Sequence, residues 1–340
     1  MKYLSEMNRM YSVSIGITTN MGVSATSWIA QNADSLDARS IWVGEDIALG
    51  QETFVLTANT LSQTKKVRVG TGIIPVTVHN IVTLARVGIT LSELGDGRFA
   101  FGLGIGGIQD LERHDIKIRK PVTELRKTIQ TLKRLWAGET VDSESEVFSI
   151  TNFGLNLTEP LKMPIFLGVR GPQMLRLTGK IADGVILSGP FDYLKNAIKI
   201  VDDAGEEVGK EKGSIEKVIW VPTIPTFKGI KEKIARRVVA LVIADTPDAV
   251  IDMLSVDIER VEKIRATVAA SSPKEGAEHV DDELLDVFSI SGTRKHMVDR
   301  FEALEKICAT EVVIGPPFSG DWRGATTEIC EEVSMRRRES

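Results

Sequence analysis

The segment PIFLGVRGPQMLRLTGKIADGVILSG, residues 164–189, decides the fold. Two apolar runs, PIFLGV and GVILSG, flank a stretch with helical spacing. This reads as strand, helix, strand. The first junction carries Arg170-Gly171-Pro172. Gly171 can take backbone angles closed to other residues and permits close approach of a ligand. Pro172 suits the first helical turn, where its missing N–H has no helical partner. The amides of Gln173, Met174 and Leu175 then point out of the helix start, with Arg170 adding charge nearby. That is an anion site. A plain strand-to-helix turn uses Gly and Pro in the same way, so both readings stand.

The same alternation runs along the whole chain. Apolar runs occur at 11–17, 40–44, 67–73, 98–104, 164–169, 184–189, 216–222 and 311–315. They are rich in Val and Ile and mostly apolar on both faces, as strands covered on both sides should be. Between them lie helical patterns such as ETFVLTANTLSQT, NIVTLARVGITLSELG and PVTELRKTIQTLKRLWAG. Eight such units predict a single (β/α)8 TIM barrel over residues 1–340, with an open doubly wound sheet as the alternative. Two stretches break the count. EVFSI and FGLNL, separated by Thr-Asn, suggest a small β-ribbon. Residues 228–290 carry helical pattern and read as a helical insertion after the seventh strand.

The formal charge of -5 argues against a global pull on nucleic acid. No charged-then-apolar leader opens the chain, and no apolar run approaches ~18 residues. We expect a cytoplasmic protein with a small-molecule substrate, no nucleic-acid or membrane partner, and a homodimer or higher homo-oligomer. Cys308 and Cys330 form no C-x-x-C pair and read as reduced helix residues. No histidine spacing indicates a metal.

In a barrel of this kind chemistry sits at the C-terminal strand ends. The second strand ends in Gly44-Glu45-Asp46. Paired carboxylates there suit general acid/base work, and they equally suit helix capping. His79 follows the third strand and is the histidine placed nearest the expected mouth. Gly70-Thr71-Gly72 marks a bulge or a close ligand approach. The run Gly102-Leu103-Gly104-Ile105-Gly106-Gly107 formally matches G-x-G-x-x-G, but it comes fourth rather than first and leads into a polar loop. It reads either as a floor under a flat ligand or phosphate, with Gly106 among its residues, or as tight packing at a barrel corner. The tail Met335-Arg336-Arg337-Arg338 reads as a solvated helix end.

GVRGPQMLRLTGKIADGVILSG resembles the signature segment of the bacterial-luciferase-like superfamily. GTGIIP, LGDGRFAFGLGIG, VDDELLDVFSISGT and EVVIGPPFSGD are similar to its deazaflavin branch, the methylenetetrahydromethanopterin reductases and their relatives. The resemblance implies coenzyme F420 across the strand ends, with its phosphate on the loop Gly168, Val169, Arg170, Gly171, Pro172, Gln173 and Met174. It implies a non-prolyl cis peptide between Gly72 and Ile73, backing the ring. It places Glu45 on an acidic position of the family, and Glu45 and His79 become the catalytic candidates. The family's glutamate after the first-strand glycine is replaced here, where Gly16-Ile17 leads into Thr18-Thr19. The expected activity is F420-dependent hydride transfer to or from a small or pterin-like substrate. The alternatives are an FMN-dependent monooxygenase of the same superfamily and a cofactor-binding relative without turnover.

Overall fold

A computed structural model describes residues 11–47, 50–107, 111 and 114–339. Eight parallel strands form its centre. They are β1 (Ser12–Thr18), β2 (Ser40–Gly44), β3 (Arg68–Thr71), β4 (Phe99–Gly104), β5 (Ile165–Gly168), β6 (Gly184–Leu187), β7 (Glu216–Ile219) and β8 (Glu311–Ile314). Each pairs with the next in sequence. β8 pairs back to β1, with Ser12 opposite Glu311 and Ile15 opposite Ile314. The sheet therefore closes on itself and leaves no barrel edge to protect. All eight apolar runs of the sequence become barrel strands. After β3, the Gly72–Ile73 peptide is cis, as the resemblance implies, and Ile74–Pro75 continues the pairing against β4.

Trp42, Ala100, Phe166, Ile186, Val218 and Val313 fill the middle of the barrel. The two large rings meet edge to face at 4.9 Å between centroids. Glycine makes room for them. A Cβ on Gly70 would stand 2.4 Å from Trp42, and one on Gly184 would stand 2.1 Å from Phe166. Gly70 therefore serves packing and not ligand approach. Gly102 does the same, since a Cβ there would stand 1.7 Å from the Thr71 carbonyl oxygen. The Thr71 hydroxyl instead donates to the Gly102 carbonyl at 2.7 Å and accepts from its amide at 2.9 Å.

The N-terminal end of the barrel is closed by an ionic plug. Arg68 sits at the first position of β3, between Glu216 and Glu311 at the first positions of β7 and β8. Its guanidinium is 2.8 Å from Glu216 and 2.7 Å from Glu311. It also lies over the rings of Trp42 and Phe166. The fully buried Glu311 carboxylate accepts further hydrogen bonds from Ser14 Oγ and Trp42 Nε1. Buried charge is tolerable only when paired and hydrogen-bonded in this way.

The insertion after β7 is helical, with its longest helices at Glu232–Asp245 and Ile258–Ala270. It has its own apolar cluster around Val239, Ile243, Val261, Ile264, Leu284 and Phe288. A short parallel ribbon, Thr223–Pro225 with Ile290–Gly292, joins its two ends. The ribbon after β4 differs from the expected one. Val141–Glu144 pairs with Ser149–Phe153, so Thr151-Asn152 lies inside a strand, with Asn152 at φ 48°. Cys308 is not helical. It is exposed at φ 71°, after the helix Arg294–Glu305 has ended. The C-terminal arginines are paired as well as solvated: Arg336 with Asp299, Glu302 and Glu332, Arg337 with Asp37. Among the described residues no helix is long and apolar enough to cross a membrane.

Candidate active site at the barrel mouth

The mouth is built where β2 and β3 end. The Glu45 amide donates to the Ile73 carbonyl at 3.4 Å, which ties the acid to the cis bulge. His79 Nε2 lies 2.9 Å from both carboxylate oxygens of Glu45. Their side chains are only 11% and 17% exposed, so solvent screens the pair weakly. Phe54 packs on the imidazole at 4.9 Å between ring centroids. The next residue, Asn80, caps the helix Ile81–Leu94 by accepting from the Val82 amide at 2.8 Å. That cap fixes where the chain leaves the bulge, and with it His79.

The neighbouring Asp46 has a different task. Its carboxylate accepts from Asn20 Nδ2 at 2.6 Å, and its amide donates to Thr19 Oγ1 at 2.9 Å. It binds the loop after β1 to the loop after β2. Capping of the helix Thr53–Gln63 falls to Glu52, which accepts from the Val55 amide at 2.6 Å. Of the other histidines, His114 is exposed in the loop after β4, and His296 faces Asp286 at 3.5 Å in the C-terminal part.

Trp220 lies across the mouth immediately after β7. A Cβ on Gly16, Gly72 or Gly315 would stand 2.4 to 2.8 Å from its indole, and one on Gly44 3.4 Å. Strands β1 and β2 and the residues just after β3 and β8 thus each present a glycine to one ring. Sequence reasoning missed this residue. Its only signal was a tryptophan directly after an apolar run, in EKVIWVP, together with a glycine at several strand ends.

On the far side of the bulge, Ile73 packs toward β4 and β5. A Cβ on Gly168 would stand 2.5 Å from Ile73, and one on Gly104 3.0 Å. Gly104 is therefore also a packing residue. Gly106, at φ 105° beside Pro75 and Leu111, is the glycine of that run whose backbone angle itself favours glycine. Gly168 opens the anion-ready loop. Val169 is buried in the core, and Arg170 is exposed. Gly171 precedes the helix Pro172–Ile181 with φ 80° and ψ 146°. This region is essentially closed to residues with a Cβ. Space is not the constraint, because a Cβ there would meet nothing within 4 Å.

Two details differ from the sequence expectation. The Leu175 amide is not available to a ligand, because it donates to the Gly171 carbonyl at 3.0 Å. The amides of Gln173 and Met174 remain at the helix start, where first-turn donors have no intrahelical partner. Arg170 is directed in part toward Asp245 of the insertion, at 3.4 Å, so its charge is partly offset.

The closed barrel, the bulge after β3 and the anion-ready loop after β5 together define the luciferase-like architecture. The chain belongs to the luciferase-like monooxygenase family, whose profile matches residues 10–311. It is 28% identical over 279 residues to the 5,10-methylenetetrahydromethanopterin reductase of Archaeoglobus fulgidus, covering 80% of this chain and 83% of that protein. The coenzyme F420-dependent tetrahydromethanopterin reductase of Methanopyrus kandleri superposes with a TM-score of 0.88 at 20% identity, over 96% of this chain and 99% of that one. The oxygenating component of the 3,6-diketocamphane monooxygenase of Pseudomonas putida, solved with FMN, superposes with a TM-score of 0.66 at 17% identity, over 96% and 99%.

Proposed function

We propose that this protein is a coenzyme F420-dependent oxidoreductase that moves hydride to or from a small or pterin-like substrate. The observation that carries the reading is the half-enclosed Glu45–His79 pair, held beside Ile73 on the same barrel end as the open helix start at Gly171. The residues fit such a cofactor. The first-turn amides of Gln173 and Met174 suit its phosphate, and the Gly72–Ile73 bulge offers a backbone wall for a flat ring. When bound, the deazaflavin supplies or accepts the hydride. The chain's own part is positioning and proton handling. A hydrogen on His79 Nε2 would lie within reach of both oxygens of Glu45. Glu45 stands at the strand end and is the first candidate to pass a proton to or take one from the substrate. His79 orients the carboxylate.

Thr18 stands at the end of β1 where the resemblance places a glutamate, so turnover of methylenetetrahydromethanopterin itself should be poor or absent. The FMN-dependent reading is favoured by one feature, since the same helix start suits the phosphate of FMN equally well. Equilibrium titration with F420 and with FMN separates the two. Tighter binding of F420 is expected, and tighter binding of FMN would overturn the assignment. Rapid reduction of the pterin would show that Thr18 does not limit the substrate.

Gly171→Val tests the loop. The backbone angle imposes a cost of about 1–3 kcal/mol on stability, and F420 affinity should fall at least tenfold. Gly97→Val is the matched control. Gly97 is at φ 74°, also with nothing within 4 Å of a Cβ, but it lies in the turn before β4, away from the mouth. Its variant should lose similar stability and keep its affinity. Equal losses of affinity in the two variants would remove the loop from the site.

A further inference from the structure

A buried hydroxyl stands at the helix start with no acceptor among the described residues. Tyr193 is the third residue of the helix Phe191–Glu206, which follows β6 and packs along Pro172–Ile181. The residue is 5% exposed, and among the described residues its hydroxyl makes no hydrogen bond within 3.5 Å; the Gly171 amide faces its oxygen from further away, and no acceptor faces its O–H. The ring is held by the end of β6, where a Cβ on Gly189 would stand 2.7 Å from it. Its hydroxyl sits beside the backbone of Gly171 and in the field of Arg170. Burial raises its pKa, and Arg170 and the Gly171 amide offset this only in part. The group is therefore a neutral O–H at physiological pH and can donate.

Buried hydroxyls are nearly always bonded, and one left unpaired costs stability. Phenylalanine would fill the same space without that cost. With no acceptor among the described residues, a tyrosine here gains from its hydroxyl when a bound ligand accepts from it. The first-turn amides of Gln173 and Met174 lie at the same helix start, which suits an anion.

We propose that the Tyr193 hydroxyl is a ligand of the cofactor's phosphoryl group, donating to the oxygens held by the first-turn amides of the helix Pro172–Ile181. This rests on the phosphate reading of the loop given above and not on the choice between F420 and FMN. It makes Tyr193 a binding residue supplied by the next β/α unit, outside the loop itself.

The test is Tyr193→Phe, titrated with F420 and with its deazaflavin nucleoside, which lacks the phosphodiester and the tail beyond it. The Kd for F420 should rise about tenfold, equivalent to ~1.4 kcal/mol, as for loss of a hydrogen bond to a charged group. The Kd for the nucleoside should not change. The melting temperature of the cofactor-free variant should equal or exceed that of the wild type, because an orphaned hydroxyl has been removed. An F420 affinity within twofold of wild type would overturn the proposal. So would an equal loss for F420 and the nucleoside, or a lower cofactor-free melting temperature, since each gives the hydroxyl a purely structural role. Should the wild type take FMN instead, the same outcomes are read with FMN and riboflavin. A wild type that binds neither phosphorylated cofactor overturns the functional reading and this proposal together. A wild type that binds one of them while Tyr193→Phe changes nothing overturns only the role of Tyr193.

Discussion

Glu311→Leu is expected to destabilise the protein by ~3–5 kcal/mol, the cost of breaking a buried ion pair by removing one partner. The side chain is fully buried, so no water can replace it. Its loss takes from Arg68 one of two carboxylates and leaves the Trp42 indole N–H and the Ser14 hydroxyl without their acceptor. Arg68 remains enclosed under Trp42 and Phe166 with only Glu216 to balance it. Leucine restores apolar volume but no acceptor. Thermal melting of the cofactor-free protein should show a drop of several degrees or more. A melting temperature within about a degree of wild type would mean that the plug is not a stability element. Changes at this end of the barrel should leave cofactor affinity alone, because the mouth is at the opposite end of the same strands.

The plug also sets an acid limit. Burial alone would raise the pKa of Glu216, but hydrogen bonding and charge from Arg68, with Arg39 beside it, outweigh that and hold it below the ordinary carboxylate value. A carboxyl whose folded pKa is depressed binds protons more readily in the unfolded chain. Its contribution is therefore present above the unfolded value and is lost as pH falls through the folded one. Stability should decline on that acid limb, and less steeply in Glu216→Gln, where this group no longer titrates.

The barrel was readable because its strands are covered on both faces. Such strands show as unbroken Val/Ile runs, and the helices between them keep a 3.6-residue period. The plug was not readable for the same reason. Glu216 and Glu311 stand at the first position of an apolar run and Arg68 at the second, where a charge looks like a solvated strand end. Only closure of the sheet turns all three inward. The glycines were ambiguous in a related way. A linear reading leaves Gly70 as a bulge or a ligand approach, and Gly102 and Gly104 as a ligand floor or tight packing; they answer to Trp42, the Thr71 carbonyl and Ile73 across the barrel. Glu45 and His79 could be singled out one at a time, but they are 34 residues apart. Their contact depends on β2 and β3 being neighbours. Tyr193 carried no local signal, because its meaning comes from a loop supplied by the preceding β/α unit.

Glu45→Gln is expected to lower kcat by ~10²–10⁴-fold, the range for loss of a positioned acid/base group. Glutamine keeps the size and still accepts a hydrogen bond from His79, so the shape of the mouth survives. It cannot take up or release a proton as a carboxyl can, although it keeps the place 2.9 Å from His79 Nε2. F420 affinity should stay within about threefold, because the anion-ready loop after β5 is untouched and Ile73 still accepts from the backbone amide of residue 45. His79→Gln should be milder, roughly tenfold, since it removes the group that orients the carboxylate and leaves the carboxylate in place. The measurement is steady-state oxidation of reduced F420 with a panel of hydride acceptors, small ketones, aldehydes and methylene-bearing tetrahydropterins, alongside equilibrium titration of the cofactor. A fall in kcat with unchanged affinity assigns Glu45 to the chemical step. A kcat within about threefold of wild type on every substrate that turns over would place the proton carrier elsewhere. A parallel collapse of affinity and melting temperature would make the pair a structural tie between the loops after β2 and β3.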